Sequence, residues 1–182
     1  MRTEKEMLEY ASKYNGKVPV TEEYFRPFAE SLHSGEEVLF CCAAMSIVDE
    51  KESVVSENGS AVLITERRIL LGGNLGVLSV RQEIPLSSVK QVTVKKRNFV
   101  FGAQPVIETK THEEYRPVLF DARFAQNAAK DMNKALDEAS RRAPQMQISP
   151  AEEIRRLKEL LDEGIITEEE FTAGKKKLLG ME

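Results

Sequence analysis

Tryptophan is absent from the 182-residue chain, and there are only two cysteines and two histidines. Each shortage excludes something. Two cysteines rule out a disulfide framework. Cys41 and Cys42 are adjacent in a strand-like run, where neighbouring side chains point to opposite faces, so two buried free thiols are expected. His33 and His112 stand apart, with no second His or Cys at ligand spacing, so no metal site is expected. Basic excess is missing too: 26 Lys and Arg face 30 Asp and Glu, a formal charge of −4. Nucleic-acid binding by counterion release needs the opposite balance. No apolar run approaches the roughly 18–20 residues of a membrane span. The opening MRTEKEMLEY is charged and lacks a signal-peptide core. Cytoplasm is the expected setting.

Catalytic signatures are also lacking. No Ser or Cys sits in a nucleophile motif. Gly72, Gly73 and Gly76 have neither the Gly-Lys-Ser/Thr ending nor the following helix of a phosphate loop, so a hairpin turn is expected there. Glu168, Glu169 and Glu170 read as the acidic first turn of a helix, not as acid–base carboxylates. The expectation is a non-enzyme without a cofactor.

What is present centres on residues 60–73, SAVLITERRILLGG. Two short apolar runs flank the polar Thr65, Glu66, Arg67 and Arg68, the pattern of a buried hairpin. Without Asn-Gly or Asp-Gly, a four-residue loop is expected, with the Thr65 hydroxyl bonding nearby backbone.

Ahead of it, Leu8 and Ala11 with Tyr10 and Tyr14 predict a short helix ending at Gly16. Phe25, Phe28, Ala29 and Leu32 predict a second, with Thr21 as cap and a kink or late start at Pro27. Residues 38–47, VLFCCAAMSI, predict a long strand, and the acidic stretch after it ends in a turn at Asn58-Gly59. Strands follow over 77–84, 89–96 and 106–111, with Gly102 as a bulge or turn. A last strand covers 115–120, where Pro117 signals an edge or a strand end. That makes about seven strands, a sandwich or partly open barrel. Asp121 then caps a long helix whose stripe of Phe124, Ala128, Met132, Ala135 and Leu136 must cover the open end.

An apolar strand, a Thr-x-x-Arg turn and a second apolar strand resemble the signature of bacterial pleckstrin-homology-like (PH-like) and GRAM domains. The IPLSSV segment at 84–89 and the closing helix extend the likeness over about residues 36–141. With its helical lead, the whole resembles the YokE-like bacterial PH family. The implied fold is α+β: a PH-like antiparallel barrel or sandwich closed by one C-terminal helix.

Residues 151–180 resemble a different family. Ser149-Pro150-Ala151-Glu152 combines a cap, a first-turn proline and a capping-box Glu. The pattern I-x-x-L-x-x-L-L-D-E-G-I-I-T-E-E-E-F, followed by K-K-K-L-L-G, is similar to the SHOCT motif, a short C-terminal helical hairpin. The resemblance implies a role in oligomerisation or protein contacts and no catalytic residues. About 30 residues bury too little surface to stand robustly alone. The expected organisation is a helical extension over 1–35, a PH-like domain over 36–141, a linker over 142–149 and the hairpin over 150–182.

The expected contact set is Ile154, Leu157, Leu160, Leu161, Ile165, Ile166, Phe171, Leu178 and Leu179. Its partner is another copy or another protein. The alternative is a peripheral module that binds anionic lipid headgroups through turn-borne Arg67, Arg68, Lys95, Lys96 and Arg97. Against it, the first strand loop reads DEKESVVSENGS, which would repel a polyphosphate.

Overall fold

The computed structural model describes residues 1–74, 78–98, 102–142, 154, 157, 158, 161 and 167–178. Residues 1–143 form one compact unit and residues 144–182 a second.

In the first unit, α1 (Glu4–Ala11) and α2 (Arg26–Ser31) precede the strands. Thr3 and Glu6 close a capping box on α1. Between the helices, Glu22–Tyr24 is a 3₁₀ turn, and α2 takes Pro27 into its first turn, where the missing N–H has no partner to lose. The late start at Pro27 is thus realised. Thr21 precedes the 3₁₀ turn without a side-chain capping bond, because no α-helix begins there.

Seven antiparallel strands follow: β1 (Val38–Asp49), β2 (Val54–Thr65), β3 (Arg68–Asn74), β4 (Leu78–Pro85), β5 (Val89–Asn98), β6 (Gly102–Thr109) and β7 (Glu114–Val118). Their order is β4-β3-β2-β1-β7-β6-β5, one sheet with β4 and β5 as its unjoined edges. α3 (Ala125–Arg142) comes last and packs on β5, β6, β1 and β2.

The long apolar run of β1 has a simple cause. Both faces of this part of the sheet are buried. On one face Phe40, Cys42, Val62, Ile64, Ile69 and Leu71 meet Ala128, Met132 and Ala135 of α3. On the other, Cys41, Ala43, Ala61, Leu63 and Leu70 meet Met7, Ala11, Phe25 and Phe28 of the helical lead. Cys41 and Cys42 do point to opposite faces, and both are free and buried. Burial pushes the Cys42 thiol up to about 12 and raises Cys41 as well, so neither is a ready nucleophile.

Two turn expectations are corrected. Asn58-Gly59 makes no turn but lies inside β2, beside a register shift opposite Ala44 and Ser46, with Gly59 at φ +101°. The turn is earlier: the Asp49 carboxylate accepts from the N–H of Lys51 (2.9 Å) and of Ser53 (2.8 Å). Gly72, Gly73 and Asn74 are likewise strand and pair with Val80, Ser79 and Leu78, while Gly76, the rest of that expected turn, lies outside the described residues. A Cβ on Gly73 would lie 2.8 Å from Ser60 Cα, so glycine there permits close backbone approach.

Pro117 marks a strand end within the sheet, not a sheet edge. β7 sits between β1 and β6, but its recorded pairs with β6 stop at Tyr115, before the proline. Beyond that point Gln104 Oε1 accepts the Leu119 N–H at 2.8 Å.

The helical lead is therefore a layer of the body. Phe25→Ala or Phe28→Ala should destabilise the protein by about 3–5 kcal/mol. Chemical denaturation followed by a β-sheet signal checks this, and a loss confined to helical signal would contradict it.

Candidate functional site

Arg68 carries the Thr-x-x-Arg motif, and the structure turns it inward. Its Nε donates to Glu36 Oε1 at 3.0 Å and its Nη2 to Glu36 Oε2 at 2.9 Å. Nη1 donates to Glu83 (2.7 Å), and Nη2 also reaches the Ser31 carbonyl (2.9 Å). The Glu36 side chain is fully buried and that of Arg68 is 12% exposed. Thr65 completes the knot. Its hydroxyl donates to Glu36 (2.8 Å) and accepts from the N–H of Arg67 (3.1 Å) and Arg68 (3.0 Å). The His33 N–H supplies one more bond to Glu36, at 2.9 Å. Burial alone would raise the Glu36 carboxyl. Hydrogen bonds from Arg68, His33 and Thr65 outweigh it and hold the group below its ordinary 4.5.

The other cations are placed as follows. Arg67 is exposed at the β2–β3 turn. Lys95 donates to Glu114 and lies 3.3 Å from Glu108, so its charge is matched twice. Lys96 is exposed, and the Arg97 side chain lies outside the described residues. In the sheet order, β1, β7 and β6 separate the Arg67 turn, which joins β2 and β3, from β5. At the β1–β2 turn, Arg116 bridges Glu52 and Glu114. Among the described residues, no group of three or more His, Cys, Asp or Glu could hold a metal. No described helix is long and apolar enough to cross a membrane.

In the second unit, α4 (Glu168–Leu178) begins with the expected capping box. Thr167 Oγ1 accepts from the Glu170 N–H (3.2 Å), and Glu170 accepts from the Thr167 N–H (2.8 Å). That bond holds the Glu170 carboxyl below its usual range. Glu168, Glu169 and Glu170 at the start and Lys175, Lys176 and Lys177 at the end are exposed and complement the helix dipole. Ile154, Leu157 and Leu161 are helical and half-buried, and so is Phe171. Leu160, Ile165, Ile166, Leu179 and the Leu178 side chain lie outside the described residues.

Sequence reasoning missed Gly174 and Glu36. A Cβ on Gly174 would lie 2.9 Å from Leu157 Cδ1, so a mid-helix glycine lets two segments of the unit touch. The signal was there, since glycine inside a helix costs about 1 kcal/mol against alanine without a packing reason. Glu36 offered no such signal, because its partner lies 32 residues away.

Two outcomes follow from the ion pair. Arg68→Met, which strands a buried carboxylate, should cost about 3–5 kcal/mol. Glu36, with its folded pKa lowered, stabilises the protein above about pH 4.5 and loses that contribution as pH falls through the folded value. The acid limb of a stability–pH curve should therefore be shallower in Glu36→Gln than in the wild type. Equal slopes would show that the pair carries no such linkage.

Comparison with known proteins adds the following. Solved structures similar to the chain include the C-terminal domain of an unknown protein from Leishmania infantum, with 13% identity and a TM-score of 0.46, covering 62% of this chain and 94% of that one. The Vps36 N-terminal PH domain is similar at 14% identity and a TM-score of 0.44, covering 59% and 83%. A Shewanella loihica protein of the DUF1696 family, with a pleckstrin-homology domain, is similar at 12% identity and a TM-score of 0.39, covering 68% and 94%. Likeness at this level carries nothing about ligands and does not single out the YokE-like or GRAM-related groups. No curated protein matches the chain by sequence. Residues 152–179 match the SHOCT family, the short C-terminal domain. The chain thus joins a seven-stranded antiparallel body with closing helix to a SHOCT domain at its C-terminal side.

Proposed function

We propose that the protein is a non-enzymatic cytoplasmic binding or scaffolding module, in which the SHOCT segment makes the contact, to a second copy or to another protein. The supporting observation is the state of the segment's apolar side chains. Ile154, Leu157, Leu161 and Phe171 each remain half-buried in the single chain. Taking such a side chain from exposed to fully buried is worth about 1.5–3 kcal/mol, so the part still outstanding offers association roughly half of that per residue. The body differs. Its sheet is covered by α3 on one face and the helical lead on the other, and it has its own core. It reads as the scaffold that carries the segment.

Anionic-lipid binding finds less support. Arg68 is tied to Glu36 and Glu83, and Lys95 to Glu108 and Glu114, so two of its five cations are already neutralised.

Light scattering on the full chain and on residues 1–143 tests the proposal. Expected is a mass above one chain for the full protein and a single-chain mass for the folded body. Leu157→Asp with Phe171→Asp in the full chain should lower the mass while leaving the body's unfolding transition unchanged. If each of the three proteins shows its own single-chain mass, self-association is refuted. Affinity capture that recovers the same partners with and without the segment would refute the hetero-contact as well.

A further inference from the structure

We propose that Asn133 serves as a one-residue strand that closes the β5 edge against pairing with a second copy of this chain. β5 ends the sheet order, and an edge strand offers a row of outward N–H and C=O groups. A single edge can always meet its own copy antiparallel about a two-fold axis. The opposite edge, β4, has α2 packed against it. α3 packs on β5 in the same way, and there one of its side chains also meets the strand edge itself. Asn133 Oδ1 accepts the Val92 N–H at 3.3 Å, and Asn133 Nδ2 donates to the Val92 carbonyl at 2.8 Å. The amide thus bonds Val92 as a neighbouring strand would.

Its remaining donor bonds the Ala129 carbonyl at 3.1 Å, which orients the group. Asparagine is a poor helix former, yet it sits inside an 18-residue helix. A side-chain amide carries its acceptor and its donors on separate atoms, so it can meet the N–H and the C=O of one backbone residue together.

Outward-facing groups recur every second residue, so Val94 faces the same way as Val92. The opposite strand agrees: Val94 pairs with Pro105, which has no N–H to offer it. Exposed Lys96 adds charge along the strand, while Lys90 lies 3.9 Å from Glu108. Beside Asn133 lies a groove of about 230 Å³ lined by Leu86, Val89, Gln91 and Leu136, among others. A leucine in place of Asn133 would meet Leu86, Val89 and Leu136 but also the polar Lys90, Asp137 and Ser140 of the same groove. All the residues of this edge lie in the first unit.

The test compares the full chain with Asn133→Leu and Asn133→Asp. Leucine removes both bonds to Val92, and aspartate sets a carboxylate against the Val92 carbonyl. Hydrogen exchange should show the Val92 amide exchanging about two- to tenfold faster in the leucine variant. Light scattering should show mass rising with concentration more steeply than in the wild type, for both variants. Val94 should gain protection as concentration rises, which marks the edge itself as the contact. A folded variant whose mass curve overlays the wild type would overturn the proposal, leaving Asn133 as a peg for α3. So would added mass without concentration-dependent protection at Val94. Should the leucine variant fail to fold, the near-isosteric aspartate variant decides.

Discussion

The buried Glu36–Arg68 pair is the constraint on which the body's arrangement depends. One carboxylate, fully enclosed, collects bonds from the Arg68 guanidinium, the Thr65 hydroxyl and the His33 N–H. Those groups come from the segment leading into β1, the β2–β3 turn and the start of β3. Through Arg68 the same knot holds the Ser31 carbonyl at the end of α2 and Glu83 on β4. A charge so placed tolerates little movement, because any lost partner leaves it buried without compensation. The knot therefore fixes the entry into β1 against the β2–β3 hairpin. It also accounts for the Thr-x-x-Arg turn chemically: threonine closes the turn and arginine balances the carboxylate.

That junction sits where the two layers meet. β1, β2 and β3 are apolar on both faces because α3 covers one and α1 with α2 cover the other. The remaining strands carry polar outer positions, as in the Gln91–Glu108 and Lys95–Glu114 pairs across β5, β6 and β7. A second tie links the layers around the flank. Tyr14, just after α1, donates to Asp131 of α3 at 2.6 Å, with Lys13 beside it at 3.2 Å. The helical lead is held from both ends and belongs to the fold.

Much of this was legible in the residues. The Thr65 turn, the Pro27 break, the closing-helix stripe and the Thr167 capping box all rest on local chemistry, and each is present. Errors arose where a local signal had two meanings. Asn58-Gly59 favours positive φ, which serves a turn or a bulge equally well, and only the register of β1 against β2 chose the bulge. Gly72 and Gly73 announced freedom, but both are strand, and at Gly73 the close approach of the Ser60 backbone requires glycine. Arg68 read as a turn cation. Its burial depended on Glu36, and no sequence pattern links residues 32 positions apart.

By itself, then, the sequence determined element types, the antiparallel α+β class and the separate C-terminal segment. The element types follow from periodicity, capping and turn chemistry acting over a few residues, and the class and the segment also from motif resemblance. Tertiary structure alone decided which charges face inward, that the helical lead is a layer, and that β7 lies between β1 and β6. It also placed Asn133 against the backbone of Val92. These depend on long-range pairing, where burial and unmet hydrogen bonds, rather than local propensity, select the partner.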